Sequence, residues 1–161
     1  MPNLAQRLAA LGLTPPPPTQ PSSEHYVSAV QCGNLLFVSG QLPKWGDARF
    51  LGRLGEQFNL AEGQQAAELS ALNVLQQLDQ ALQGQLERVS RIVKLTIFVA
   101  ATADFAQHSQ VGNGASALMV ALFGEAGRHA RTTVGVASLP RGAAVEIEAI
   151  VELKPATGHA S

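Results

Sequence analysis

Apolar positions along the chain recur with two periods, and the switches between them divide the sequence into elements. Over residues 3–12, Leu4, Leu8 and Leu11 have the spacing of a short amphipathic helix that packs on the rest of the chain. Gly12 and the run Pro15–Pro18 end it, and four consecutive prolines set an extended, stiff arm. Residues 26–30 and 35–39 are β-type runs around Gln31-Cys32-Gly33-Asn34, whose Gly-Asn pair predicts a hairpin turn. Residues 44–58 carry Trp45, Gly46, Gly52 and Gly55 and read as a loop with one small additional strand. Ala67, Ala71, Leu75, Leu78 and Leu82 step by four and three, which predicts a long helix over 61–83 with Gly84 as its stop. The nearly unbroken apolar run at 92–99 predicts a central strand covered on both faces. A capped turn at 102–105 and a second helix at 114–123, closed by Gly124, follow. The last stretch, 131–148, reads as two strands joined by a turn at Leu139-Pro140-Arg141-Gly142. Its return strand puts Val145, Ile147, Ala149, Val151 and Leu153 on one face and Glu146, Glu148, Ile150 and Glu152 on the other. The fold class these elements predict is α/β: a mixed sheet with two helices packed on one face.

Composition narrows the function classes. At 161 residues, with 46% apolar and 14% charged positions, the chain is expected to form one globular domain. Residues 1–21 are the helix and proline arm, 22–156 the domain and 157–161 a tail. A net charge of −1 without a Lys/Arg cluster argues against nucleic acid as a partner. The single cysteine, Cys32, rules out an intrachain disulfide and suits a reducing compartment. No secretory leader is legible in residues 1–13 and no apolar run approaches a membrane span, so a cytoplasmic location is expected. His25, His108, His129 and His159 lack metal-ligand spacing, and the glycine-rich stretches match no phosphate-loop fingerprint. No cofactor or metal is therefore expected.

The chemistry concentrates at residues 131–148. Arg131 offers a planar guanidinium fork and Glu146 an acid, a pair suited to gripping a carboxylate while handling a proton or a water. The bland reading is a surface ion pair, which would contribute little. As partners in a simple hairpin the two residues would lie at opposite ends, so a shared site requires another subunit. Gly40, after Ser39, permits either a bulge or close approach of a ligand.

Several stretches then line up together. Tyr26-Val27, the strand end Val38-Ser39-Gly40-Gln41-Leu42-Pro43, the run 93–99, Asp104-Phe105, and Arg131…Leu139-Pro140…Val145-Glu146-Ile147-Glu148 resemble the Rid family, also called YjgF or endoribonuclease L-PSP, over roughly residues 22–154. Val111-Gly112-Asn113-Gly114-Ala115-Ser116 and Gly127-Arg128-His129-Ala130-Arg131 resemble a longer bacterial branch of that family. The resemblance implies a chorismate-mutase-like fold, a homotrimer, and ligand sites in the clefts between subunits. In deaminating members, 2-aminoacrylate-type enamines and imines are hydrolysed to 2-keto acids and ammonia. A trimer that only binds small carboxylates in the same cleft is the alternative. By this resemblance Arg131 clamps the substrate carboxylate, Glu146 places the attacking water, and Tyr26, Ser39 and Gly40 line the cleft. Thr133 stands where many deaminases carry cysteine and keeps the backbone carbonyl. The family's cleft asparagine falls near Asn113, with Ser116 competing for the role. His129 either reaches the cleft or is an exposed histidine ahead of the strand. The ribonuclease activity in the family's older name would need a basic groove and stacking aromatics, whereas this chain has one Trp and one Tyr.

Overall fold

The computed structural model describes residues 1–155, apart from the side chains of residues 48 and 49; the anticipated tail at 157–161, with His159, lies outside the described residues. Its centre is a five-stranded mixed sheet. The strands are β1 (Ala29–Cys32), β2 (Leu35–Gln41), β5 (Val89–Ala100), β6 (Ala130–Val136) and β7 (Val145–Leu153), in the order β1-β2-β7-β5-β6. β3 (Lys44–Trp45) and β4 (Ala48–Arg49) form a separate two-stranded piece in the loop that follows β2. Gly33 takes a positive φ of 61° in the turn between β1 and β2, where Cys32 opposes Leu35, as the Gly-Asn pair predicts. Tyr26 precedes β1 rather than lying in it.

The expected hairpin at 131–148 does not form. β5 lies between the two strands, antiparallel to β7 and parallel to β6. The reason is connectivity: β5 reaches β6 through a helix, a crossover that delivers a parallel neighbour, and the Pro140 turn then carries the chain past the end of β5 to its other side. The longest apolar strand thereby gains two partners, while the Thr- and Gly-containing β6 takes the edge.

Two helices cover one face. α2 (Leu60–Ala81) opens on a capping box in which the Asn59 side chain accepts from the Glu62 amide and the Glu62 carboxylate accepts from that of Asn59. Its stripe of Ala67, Ala71, Leu75 and Leu78 is fully buried against the sheet and the second helix. That helix, α3, spans His108–Phe123, beginning six residues earlier than the glycine-interrupted sequence predicts. Gly112 and Gly114 are packing residues here, not breaks. A Cβ at 112 would sit 2.9 Å from Thr133 Oγ1 on β6, and one at 114 would collide with the Gln64 carbonyl of α2.

α1 (Leu4–Ala9) has six residues and is too short to persist alone. Leu4 and Leu8 hold it, being 2% and 0% exposed, each contributing about 1.5–3 kcal/mol. Leu11, expected to join them, is exposed, because Gly12 turns the chain away at a positive φ of 72°.

The other face of the sheet has no cover among the described residues, where the sequence predicts a strand enclosed on both sides. Val30, Phe37 and Val134 are 54%, 42% and 40% exposed there. The register places them with half-buried Phe98 and Ile150 on one surface, shared with Glu146 and Glu148.

Candidate functional site

Arg131 and Glu146 lie on opposite faces of the sheet. Arg131 pairs with Leu95 and Glu146 with Phe98, three residues further along β5, and side chains alternate along a strand. Arg131 therefore points to the α3 side and Glu146 to the uncovered side. They do not meet, and the surface ion-pair reading fails with the hairpin: among the described residues the ion pairs are Arg53–Glu56 and Arg128–Glu125, both exposed.

Around Arg131 the helix supplies acceptors at i, i+4 and i+7. Nη1 donates to Asn113 Oδ1 at 2.9 Å and Ser116 Oγ at 3.1 Å; Nη2 donates to Ser109 Oγ at 2.8 Å and the Ser109 carbonyl at 3.2 Å. Asn113 and Ser116, between which sequence left the cleft role open, both accept from Arg131. Ser109 was not legible, because the helix was expected to begin after it. Its signal was there, since Ser109, Asn113 and Ser116 share a face at helical spacing.

His129 is half-buried and bonded rather than exposed. Its Nδ1 faces the Gly127 carbonyl at 2.7 Å and its Nε2 faces Ser116 Oγ at 2.9 Å. A carbonyl only accepts, so Nδ1 carries the proton, and neutral Nε2 is free to accept from the Ser116 hydroxyl. The order is Arg131 to Ser116 to His129. Burial pushes the imidazole pKa below its ordinary value; the Gly127 bond opposes this in part, and the Arg131 charge adds a smaller push downward. The unfolded chain therefore takes up this proton before the folded one. Stability from His129 is full above about pH 6.5 and is lost as pH falls through the depressed folded value. In thermal melts, His129→Gln should flatten the loss of stability between about pH 7 and pH 5.

Thr133 points to the same side, and its buried Oγ1 has no hydrogen-bond partner. An orphaned hydroxyl of this kind destabilises by about 1–3 kcal/mol. Thr133→Val, which keeps the shape, should raise the melting temperature by about 2–4 °C per kcal/mol recovered. A lower melting temperature would mean that the hydroxyl has a partner in solution.

The opposite half is an open cavity of about 240 Å³ beside Glu146, whose wall includes Tyr26, Gly40, Gln77 and Arg141. Gly40 is needed for close approach, since a Cβ there would collide with the Glu146 carboxylate. Burial, and secondarily Glu148, raises the Glu146 pKa above the ordinary carboxylate value. The Tyr26 hydroxyl accepts from the Ser22 amide at 3.2 Å and shares a bond of 3.0 Å with the Ser22 hydroxyl. The Ser22 side-chain and backbone bonds, with a smaller effect of Arg141, lower the Tyr26 pKa. Ser39 is not part of the cavity wall. Its hydroxyl donates to the Val27 carbonyl at 2.7 Å and ties the Tyr26 segment to β2. Arg141 was read only as part of a turn, and nothing local marks it as a cavity residue.

Comparison with known proteins agrees with this architecture. The endoribonuclease L-PSP family profile matches residues 18–153. Protein TCP17 of Trypanosoma cruzi is 49% identical over 152 residues, covering 93% of this chain and 94% of its own. The crystal structure of Atu1372, a protein of unknown function from Agrobacterium tumefaciens, is 45% identical with a TM-score of 0.85, covering 93% of this chain and 92% of its own. E. coli TdcF, solved with bound serine, is 25% identical with a TM-score of 0.56, covering 86% of this chain and 93% of its own. The sheet order, the two helices on one face and the matched span together make this chain a member of the Rid family, the family of endoribonuclease L-PSP.

Proposed function

We propose that the chain assembles as a homotrimer in which the Arg131 cluster of one protomer faces the Glu146 cavity of the next, and that the joined site hydrolyses 2-imino and 2-enamino acids. The supporting observation is that the two groups stand on opposite faces of one sheet, each chemically incomplete, beside an apolar surface that the described residues leave uncovered. A heterologous interface that closes into a ring joins two such halves at every contact. The serine bound by TdcF carries the carboxylate and nitrogen that the joined site would recognise.

Arg131 clamps the substrate carboxylate. Four of its five N–H groups are directed to α3, so the clamp forms by exchanging bonds to the exposed Ser109 and Asn113 for carboxylate oxygens. An enamine is first protonated at carbon to give the imine. Water then adds to the imine carbon and its two protons pass in turn through Glu146 to nitrogen, the first forming the carbinolamine and the second accompanying C–N cleavage, which leaves a 2-keto acid and ammonia. A carboxyl pushed toward neutrality by burial is suited to taking and returning that proton. A net charge of −1, one Trp and one Tyr give little support to RNA cleavage.

The test is a coupled assay. 2-Aminoacrylate is generated in place by a PLP-dependent lyase, and its decay is followed with and without the protein. Acceleration that vanishes in Arg131→Ala supports the hydrolase. The second reading, retention of small carboxylates without turnover, is favoured by the amino acid found in TdcF. It would be established by saturable binding of 2-oxobutanoate with no acceleration of decay.

A further inference from the structure

We propose that the cavity beside Glu146 contains a subsite for a second, distal carboxylate of the substrate, with Arg141 as its cation and the N-terminal arm as its wall; this rests on the reading above. Three observations carry it.

The first is the charge around the cavity. Among the described residues lining it, Lys44 and Arg141 stand against the one acid, Glu146. The Arg141 guanidinium makes no hydrogen bond or ion pair within the chain among the described residues, and no ion pair ties it to Glu146. The cavity thus holds an uncommitted fork, the group suited to a planar anion.

The second is the backbone. Arg141 has a φ of 59°, in the left-handed region that disfavours a side chain, and is followed by Gly142 at 73°. Such a conformation at a residue other than glycine is strained and persists only where the surrounding structure imposes it. Here it carries the side chain of the crossover loop to the rim of the cavity, beside Tyr26.

The third is the arm. Thr19 through Ser22 line the same cavity. Gln77 Nε2, on the 3% exposed Gln77 of α2, donates to the Thr19 carbonyl at 3.1 Å and Thr19 Oγ1 at 3.0 Å. Ser22 holds the Tyr26 hydroxyl, and α1 anchors the start of the arm through Leu4 and Leu8. The helix and proline run therefore act as a strap that closes one side of the subsite. With one carboxylate held by Arg131 of the neighbouring protomer, the substrate side chain extends into a polar, cation-bearing space rather than an apolar one. The substrate class assigned is the imine of an acidic amino acid.

Matched ligands test this. 2-Iminoglutarate and 2-iminopentanoate, made from glutamate and norvaline by amino-acid oxidases, differ only in the distal carboxylate. The wild type should favour 2-iminoglutarate by at least about ten-fold in kcat/KM. The ratio should fall to near one in Arg141→Asn, a residue that tolerates the left-handed backbone, and survive largely in Arg141→Lys. Equal rates in the wild type, or a ratio unmoved by Arg141→Asn, would overturn the proposal. Calorimetry with 2-oxoglutarate and 2-oxopentanoate decides the same point without turnover. Tighter binding of 2-oxoglutarate that depends on Arg141 supports the subsite even if neither imine is hydrolysed, and equal or absent binding sinks it. Loss of hydrolysis alone counts against the hydrolase reading only.

Discussion

Arg131→Ala should lower kcat/KM for imine hydrolysis by about 10³-fold or more while leaving the assembly and its melting temperature nearly unchanged. The large effect follows from what the side chain supplies. A guanidinium braced by Ser109, Asn113 and Ser116 is preset in direction, so the carboxylate it captures is oriented for attack rather than only attracted. The small effect on stability follows from its place on an edge strand, half-exposed over α3. Arg131→Lys should recover little, because an ammonium cannot offer two parallel donors at fixed separation. Steady-state kinetics on the two variants, with sedimentation to verify the assembly, would check this. A Lys variant close to wild type would show that charge alone suffices and would remove the fork from the account.

Glu146→Gln should lower kcat by about 10²–10⁴-fold with ligand affinity retained, since the amide keeps the shape but cannot accept the proton of water. It should also stabilise the protein at pH 8. The sign follows from the raised pKa. The folded state holds the Glu146 proton more firmly than the unfolded chain does, so ionisation inside the fold is unfavourable. The stability contributed by Glu146 is then fully present below about pH 4 and is lost as pH rises through the folded value. Glutamine does not ionise, so the variant should melt higher than wild type at pH 8 and nearly alike at pH 4. A residue whose replacement weakens activity while strengthening the fold serves the chemistry rather than the stability. If Glu146→Gln melts lower at pH 8, the carboxylate is paired in the assembly and acts as a structural anchor.

What was legible in the sequence divides by the range of the forces involved. The alternation of β7 and the stripe of α2 are local and strong, and both appear as read, with Val145, Ile147, Val151, Leu75 and Leu78 all fully buried. Residues 131–148 misled because a Pro-Gly break looks the same whether it closes a hairpin or carries the chain across a third strand. The start of α3 was hidden by Gly112 and Gly114, whose absent side chains serve contacts with Thr133, Arg131 and Gln64 that no local pattern encodes. That error concealed Ser109. Arg141 was hidden because its importance lies in a loop conformation and in proximity to Tyr26, neither of which leaves a periodic trace. The expectation that Arg131 and Glu146 share a site only through another subunit rests on a hairpin that does not form; their placement on opposite faces of the sheet is what supports the proposal instead.

The most direct measurement is complementation between two inactive variants. Arg131→Ala and Glu146→Gln would be prepared separately, unfolded, mixed in equal amounts and refolded together. If each site takes Arg131 from one protomer and Glu146 from the next, half of the protomers supply an intact arginine and half an intact glutamate. About a quarter of the interfaces then combine both, and about a quarter of wild-type turnover should return. No recovery above the separate variants, in a mixture whose assembly matches wild type, would contradict the split site.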